Sequence, residues 1–454
     1  MKKLGYAVWL VMLVMAIIFY KERAFFLDAG FQLFNMINEE RIQVYHYRFV
    51  TVLPQILPFL LLKINAPLWI LAIAYSASYI LFFLLMYHIL VHYLKNIALG
   101  WVLIFLFTLT SLDTFYHIQS EFYLGLAFLI LLFGVVLKNP ALNQKWQWAI
   151  IIILLPTIAF SHKLTLIFFI FTWSFFWLSQ KELRQKNYFF FLFAFLIATA
   201  IKSIYFTNWY EAAKQADFKT NLELYFPHFQ TLPSNFVFLE RCIHYYYMLP
   251  ILLSVVTLFY ISRKNWIKTG LTWSFTIGFI LLYNISDPGA MHRFYSEVTY
   301  LPLIIFVAIP FMFDVFPDLI KKTKWLPVVL GVLICWRLIT ISANHQLFEN
   351  NHIWIKQQFK KAEALNTNRL IIKSENTPQD TIIMEWGIPF TAMHLSALSG
   401  PKNAKTILIM QDFDWYSDKI NGDNLFFSPF HKAFRNEDLN NNYYDLIKGK
   451  YIEE

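Results

Sequence analysis

The side chains able to do chemistry are confined to a few short polar stretches between long apolar ones. The first, LDAGFQLFNMINEERIQVYHYRF (residues 27–49), follows directly on the first apolar segment and carries Asp28, Glu39, Glu40, Arg41, His46 and Arg48. A carboxylate held at a membrane surface is a place for chemistry on a substrate anchored in lipid, because ionisable groups at that depth are costly and mark functional cavities. Asp28 also stands where a residue could simply cap a helix. The 39–41 run reads more readily as solvated charge. Arg48 lies against the next apolar segment, where a guanidinium suits a phosphate.

Three later stretches repeat the theme. DTFYHIQSEFY offers Asp113, His117 and Glu121; SDPGAMHRFYSE offers Asp287, His292, Arg293 and Glu297; the break AFSHKLTL offers His162 and Lys163. Each alone reads as an ordinary polar turn, and together with Asp28 they are expected to converge on one extracytoplasmic cavity. Other apparent motifs carry less. HILVH spaces His88 and His92 as a zinc pair would be, but lacks the glutamate of a metalloprotease helix. Asp412 and Asp414 in QDFDW follow no glycine-rich phosphate loop and read as a turn, while Lys202 and Arg337 are expected to snorkel to water. Cys242 and Cys335 are the only cysteines, too few for a disulfide framework or a thiolate metal site.

The elements that must position these groups follow from composition. With 58% hydrophobic and 15% charged residues, the chain does not read as a soluble globular protein. It reads as an all-α polytopic membrane bundle of about 11–12 transmembrane helices with a small C-terminal α/β appendage. Eleven apolar segments qualify, at about 4–20, 67–91, 97–112, 122–137, 148–160, 164–178, 188–206, 246–261, 270–285, 298–313 and 326–341. The basic N-terminus lacks a cleavage site and is expected to be a retained anchor. Segment 50–63, with Pro54 and Pro58, is expected not to cross fully. On that basis Lys2, Lys3, Lys95, Lys138, Lys145, Lys181, Arg184, Lys186, Arg263, Lys264, Lys268, Lys321, Lys322 and Lys324 fall on one side, expected to be cytoplasmic. The net charge of +9 is thereby an orientation signal and no argument for nucleic acid.

Leu33, Phe34, Ile37 and Val44 fall near one helical face, so residues 28–48 are expected to form a helix lying in the membrane interface. The transmembrane domain is expected to span 1–341 and a small soluble domain 342–454, with RLIIK, TIIMEW and KTILIM as strands and HIWIKQQFKKAEAL and PFTAMHLSAL as helices.

This layout resembles the GT-C superfamily of membrane glycosyltransferases, which take sugars from polyprenyl-phosphate donors. The resemblance rests on the first span, the acidic residue in FFLDAGF, the apolar segment LPQILPFLLL, the helix entry QSEFYLGLAFLILL and HRFYSEVTYLPL. A second acidic residue beside Asp28 and a doubled proline in the loop are missing. The resemblance implies an inverting glycosyltransferase in a bacterial inner membrane, acting at its extracytoplasmic face on a glycan, lipid or protein acceptor. In it Asp28 is the general base, Arg293 the first phosphate partner with Arg48 and His162 behind it, and Glu121 and His46 orient sugar hydroxyls. A divalent cation is allowed but no ligand set is spelled out. The alternatives are a transporter or flippase, a polymerase of lipid-linked oligosaccharides, and a membrane scaffold.

Overall fold

The computed structural model describes residues 1–118, 120–290, 293–411, 416–421, 424–427 and 434–454. A helix occupies each of the eleven apolar segments. Among the described residues five helices are long and apolar enough to cross a membrane: Leu68–Tyr93, Glu121–Lys138, Lys186–Tyr205, Arg293–Lys322 and Leu326–Ala364. The count becomes six if Pro233–His244 and Met248–Ser262, bent by 88° at their junction, form one span. The expected eleven or twelve spans are therefore five or six by length and composition. The difference lies in helices such as Ile97–Thr108, Lys145–Ser161 and Thr165–Ser179, apolar but shorter than the roughly 20 residues a bilayer asks for.

Helix directions sort the polar groups to two ends. Lys2–Ile18 and Leu68–His88 run antiparallel: the Tyr87 hydroxyl donates to the Lys2 carbonyl (3.0 Å) at one end, and the Ser76 hydroxyl to the Ala16 carbonyl (2.6 Å) towards the other. Gly134, near the end of Glu121–Lys138, packs against Leu90 and Leu94, and Gln185 donates to the Pro140 carbonyl, so the loops carrying Lys95, Lys138 and Arg184 share the Lys2 end. The Phe49–Lys63 helix has both ends away from it. Arg48, just before its start, pairs with Glu121, and Lys63 pairs with Glu40 at 3.0 Å.

The expected interfacial helix is shorter and differently covered. It runs over Leu27–Glu39 and stops at Glu40, whose φ of 47° is left-handed. Gln55 then takes over the backbone, accepting from the Gln43 N–H (2.9 Å) and donating to the Gln43 carbonyl (2.8 Å), so residues 41–48 form an irregular arm instead of further helix. The apolar face does not lie open for lipid. Phe34 packs edge-on against Phe390, Phe427 and Phe434, all from the C-terminal region.

That region holds a parallel sheet of order β2-β1-β3, from β1 (Arg369–Lys373), β2 (Thr406–Met410) and β3 (Ile452–Glu453), with Arg369 opposite Thr406. TIIMEW is not a strand: residues 381–384 are irregular and Glu385–Gly387 is a single tight turn leading into the Ile388–Ala397 helix. The boundary expected after residue 341 falls near the end of the Leu326–Ala343 helix, which a single turn residue, Asn344, joins to the His345–Ala364 helix. Phe390, Met393, Leu370 and Ile372 belong to the same buried core as the helices, so the appendage is docked onto them.

His394 lies at this docking surface, with Nε2 2.9 Å from the Gly30 carbonyl and Nδ1 2.9 Å from the Tyr444 hydroxyl. Burial pushes its imidazole down to about 4, the Gly30 bond opposing only in part. An unfolded chain takes up this proton below about 6.5, whereas the folded one waits until about 4. Stability is therefore expected to be level above pH 6.5 and to fall by about 3 kcal/mol as pH drops through that window. Thermal midpoints of wild type and His394→Gln across pH 4–7 check this: the variant's slope should be shallower.

Candidate active site

The loop between the Ile97–Thr108 and Glu121–Lys138 helices is held from every side. Glu297, fully buried, accepts from the backbone N–H groups of Leu112 (2.5 Å) and Thr114 (2.9 Å) and from the Thr114 hydroxyl (2.7 Å). Its carbonyls go to two buried arginines. Arg337 donates to Thr108 (3.0 Å) and Ser111 (2.7 Å), and Arg23 donates to Phe115 and to the Ser76 hydroxyl (2.8 Å). Arg337 thus does not snorkel; it is 1% exposed, because three carbonyls and a tyrosine hydroxyl replace water around it. Arg293 clamps Asp113 through two bonds of 2.6 Å, and Asn344 adds a third. Arg23→Met removes charged donors and deprives the Phe115 carbonyl and the Ser76 hydroxyl oxygen of theirs, so a loss of about 3 kcal/mol is expected, read as a lowered unfolding midpoint.

The product of this bracing is His117, whose Nε2 lies 3.2 Å from Asp28 Oδ2. Asp28 sits in the first turn of Leu27–Glu39, which has no side-chain cap, and its side chain is 39% exposed. The carboxylate accepts from the ring and does not cap the helix.

A second group assembles beside it. Arg48 pairs with Glu121 at the start of Glu121–Lys138, lies over the Tyr210 ring (5.9 Å), and has a buried Nε without a hydrogen-bond partner among the described residues. His46 stacks on the same ring at 5.1 Å; burial and then Arg48 lower its affinity for a proton. Glu211 is bound by Lys163 and Lys202, each at 2.9 Å. Burial raises its pKa, but the two lysines outweigh that and hold it below the ordinary carboxylate range. His162 stacks on Phe122 at 4.5 Å, and burial, followed by Arg48, Lys202 and Lys163, keeps it well below the usual imidazole range and so neutral. Tyr210 ties the groups together, feeling the charges of Arg48, Glu121, Asp28 and Glu211 at once.

Of the residues singled out from sequence, Asp28, His46, Arg48, Glu121 and His162 thus share one neighbourhood at the end away from Lys2. Arg293 stands behind His117, whose ring is 5.7 Å from that of Phe294, with its guanidinium on Asp113. His292, Asp412 and Asp414 lie outside the described residues. Lys202 does not reach water; it is 1% exposed against Glu211. Tyr210 and Glu211 had not been singled out, although NWYE carries a signal: Asn208 caps the Trp209–Tyr225 helix by accepting from the Glu211 N–H (3.0 Å), and this fixes both side chains in its first turn. Among the described residues no three His, Cys, Asp or Glu side chains are grouped to hold a metal ion. No family model, curated protein or solved structure matches the chain.

Proposed function

We propose that the chain is an integral membrane glycosyltransferase of GT-C type, probing lipid-linked substrates from the extracytoplasmic face of a bacterial inner membrane. It moves a sugar from a polyprenyl-phosphate donor to a glycan, lipid or protein acceptor. The observation that carries this reading is the gathering of Arg48, His46, Glu121 and Asp28 about Tyr210, with His162 on Phe122 beside Arg48, at the opposite end of the helices from the basic loops.

In this reading the half-exposed Asp28 takes the proton of the acceptor hydroxyl as its oxygen attacks the anomeric carbon. The bond from that carbon to the phosphate oxygen breaks, and the lipid phosphate leaves with the electron pair. His117 donates to one carboxylate oxygen and leaves the other for the hydroxyl. Charge growing on the phosphate needs fixed cations. Arg48, paired with Glu121 but with an unengaged Nε, and Lys163, paired with Glu211 through one oxygen, are placed for this; Arg293 is clamped on Asp113 by two bonds and supports the loop beneath. A polyprenyl chain suits the five long apolar helices, since its tail remains in lipid while its phosphate sits at their ends.

The test is sugar transfer in proteoliposomes, from a panel of polyprenyl-phosphate sugars to lipid and glycan acceptors, with Arg48→Ala beside wild type. Arg48→Ala should cost roughly 10²-fold in turnover, as removal of an oxyanion-stabilising donor does. Vesicles that move the lipid-linked sugar across the bilayer without breaking its glycosidic bond would replace the enzyme with a flippase.

A further inference from the structure

We infer that the C-terminal unit is a positioning device for Asp28, and that Thr391 and His394 are its working contacts. The functional part of this inference rests on the reading above; the mechanical part stands on geometry alone.

The helix that carries Asp28 begins without support from any side chain of its own first turn. Leu27–Glu39 has no side-chain cap, and Leu27, immediately before Asp28, has a left-handed φ of 42°. That conformation is costly for a residue with a branched side chain and persists only where surroundings over-determine it. The surroundings come from one stripe of the C-terminal unit, at positions 387, 391 and 394, spaced as neighbours on a helical face. Gly387 lets Leu27 in: a Cβ there would stand 2.5 Å from Leu27 Cδ2 and 3.2 Å from its Cα. Thr391 donates its hydroxyl to the Phe25 carbonyl at 2.7 Å. His394 meets the Gly30 carbonyl at 2.9 Å, and because a carbonyl only accepts, Nε2 carries the proton. Nδ1 is then the acceptor for the Tyr444 hydroxyl at 2.9 Å, which fixes the tautomer. The same ring stacks flat on Phe25, 4.8 Å between centroids.

These contacts bracket Asp28 without touching it. Apolar burial of Phe34 and its neighbours presses the helix onto the unit, but such burial is non-directional and sets no register. Bonds to two named carbonyls, at Phe25 and Gly30, do set one. Since successive helical residues differ by about 100°, a slip of one position would carry Asp28 away from His117. Thr391 and His394 are therefore positioning residues, acting through the backbone on a carboxylate that His117 meets from the other side.

Two readouts on the full chain in proteoliposomes test this. The first needs no activity. In protein with Cys242 and Cys335 replaced by Ser, Asp28→Cys reports the site through its rate of maleimide labelling, measured with and without Thr391→Val or His394→Ala. The second is sugar transfer with Asp28 intact. The expected results are a several-fold change in labelling rate with either substitution, and a fall in kcat of up to about 10²-fold at unchanged KM for the lipid-linked sugar. His394→Gln, which keeps a donor towards Gly30, should recover most of the kcat. Thr391→Val is nearly isosteric and decides the matter if His394→Ala does not fold. Labelling that is unchanged by Thr391→Val overturns the inference, whatever the activity. Labelling that changes in a protein with no transfer activity in any form keeps the positioning device and removes the glycosyltransferase.

Discussion

Asp28→Asn is expected to reduce sugar transfer by roughly 10² to 10⁴-fold, the range for loss of a positioned general base. The substitution keeps the shape of the side chain and an oxygen that can accept from His117 Nε2, now 3.2 Å from the carboxylate, so the first turn of the helix should stay in place. What it removes is the ability to hold the acceptor's proton. The deficit should therefore fall on kcat, with KM for the donor near its wild-type value, because Arg48, Glu121, His46 and His162 are left intact. Transfer of label at saturating donor measures it. Full activity in Asp28→Asn would reduce Asp28 to a structural partner of His117 and would take the general-base mechanism with it.

Glu211→Ala is expected to produce the largest loss of stability, about 3–5 kcal/mol, because it leaves buried lysine charge without its partner. Lys202 is 1% exposed and bonded to Glu211 at 2.9 Å, and Lys163 approaches the other oxygen at the same distance. Glu211 is also the one buried residue of the Trp209–Tyr225 helix. Its removal should loosen that helix and carry Tyr210 away from His46 and Arg48. Glu211→Gln, which keeps an acceptor but no charge, should lie between. The depressed pKa gives the sign of the pH effect: the contribution is complete above the ordinary glutamate range and is lost as acid protonates the carboxylate. Unfolding midpoints, and protease cutting within 206–232, report the two consequences separately. A midpoint equal to wild type would mean that water, not Glu211, compensates the lysines.

The helices were legible because long apolar runs between charged loops admit few other readings, and the strands RLIIK and KTILIM because they are short, apolar and bounded by polar residues. TIIMEW shares that composition, but among the described residues, 381–384 pair with no strand. Amphipathicity showed that the helix after Asp28 buries one face. It could not show against what, and Phe390 lies more than 350 positions further along the chain. The snorkelling rule misplaced Lys202 and Arg337 for a related reason. It treats water as the default partner of a cation near a helix end, whereas Glu211 and the carbonyls of Thr108 and Ser111 were brought there by tertiary structure. For the site, alternation of charge along the chain was enough to put its loops on one side. Which charged groups already hold one another was not readable: Arg293 and Asp113 were both singled out, and only the fold shows that each occupies the other.

The Leu326–Ala364 run, two helices joined at the single turn residue Asn344, has a mechanical consequence. End to end, its 39 residues reach up to about 58 Å, of which a bilayer core covers about 30 Å. In the proposed setting the remainder stands clear of the lipid and packs against the sheet and the Ile388–Ala397 helix, whose Thr391 and His394 hold the helix of Asp28. A lean of about 10°, well within what hydrophobic mismatch imposes on a span, displaces the far tip by about 10 Å. Bilayer thickness then becomes a control on alignment of the carboxylate, and the same protein would work at different rates in thin and thick membranes.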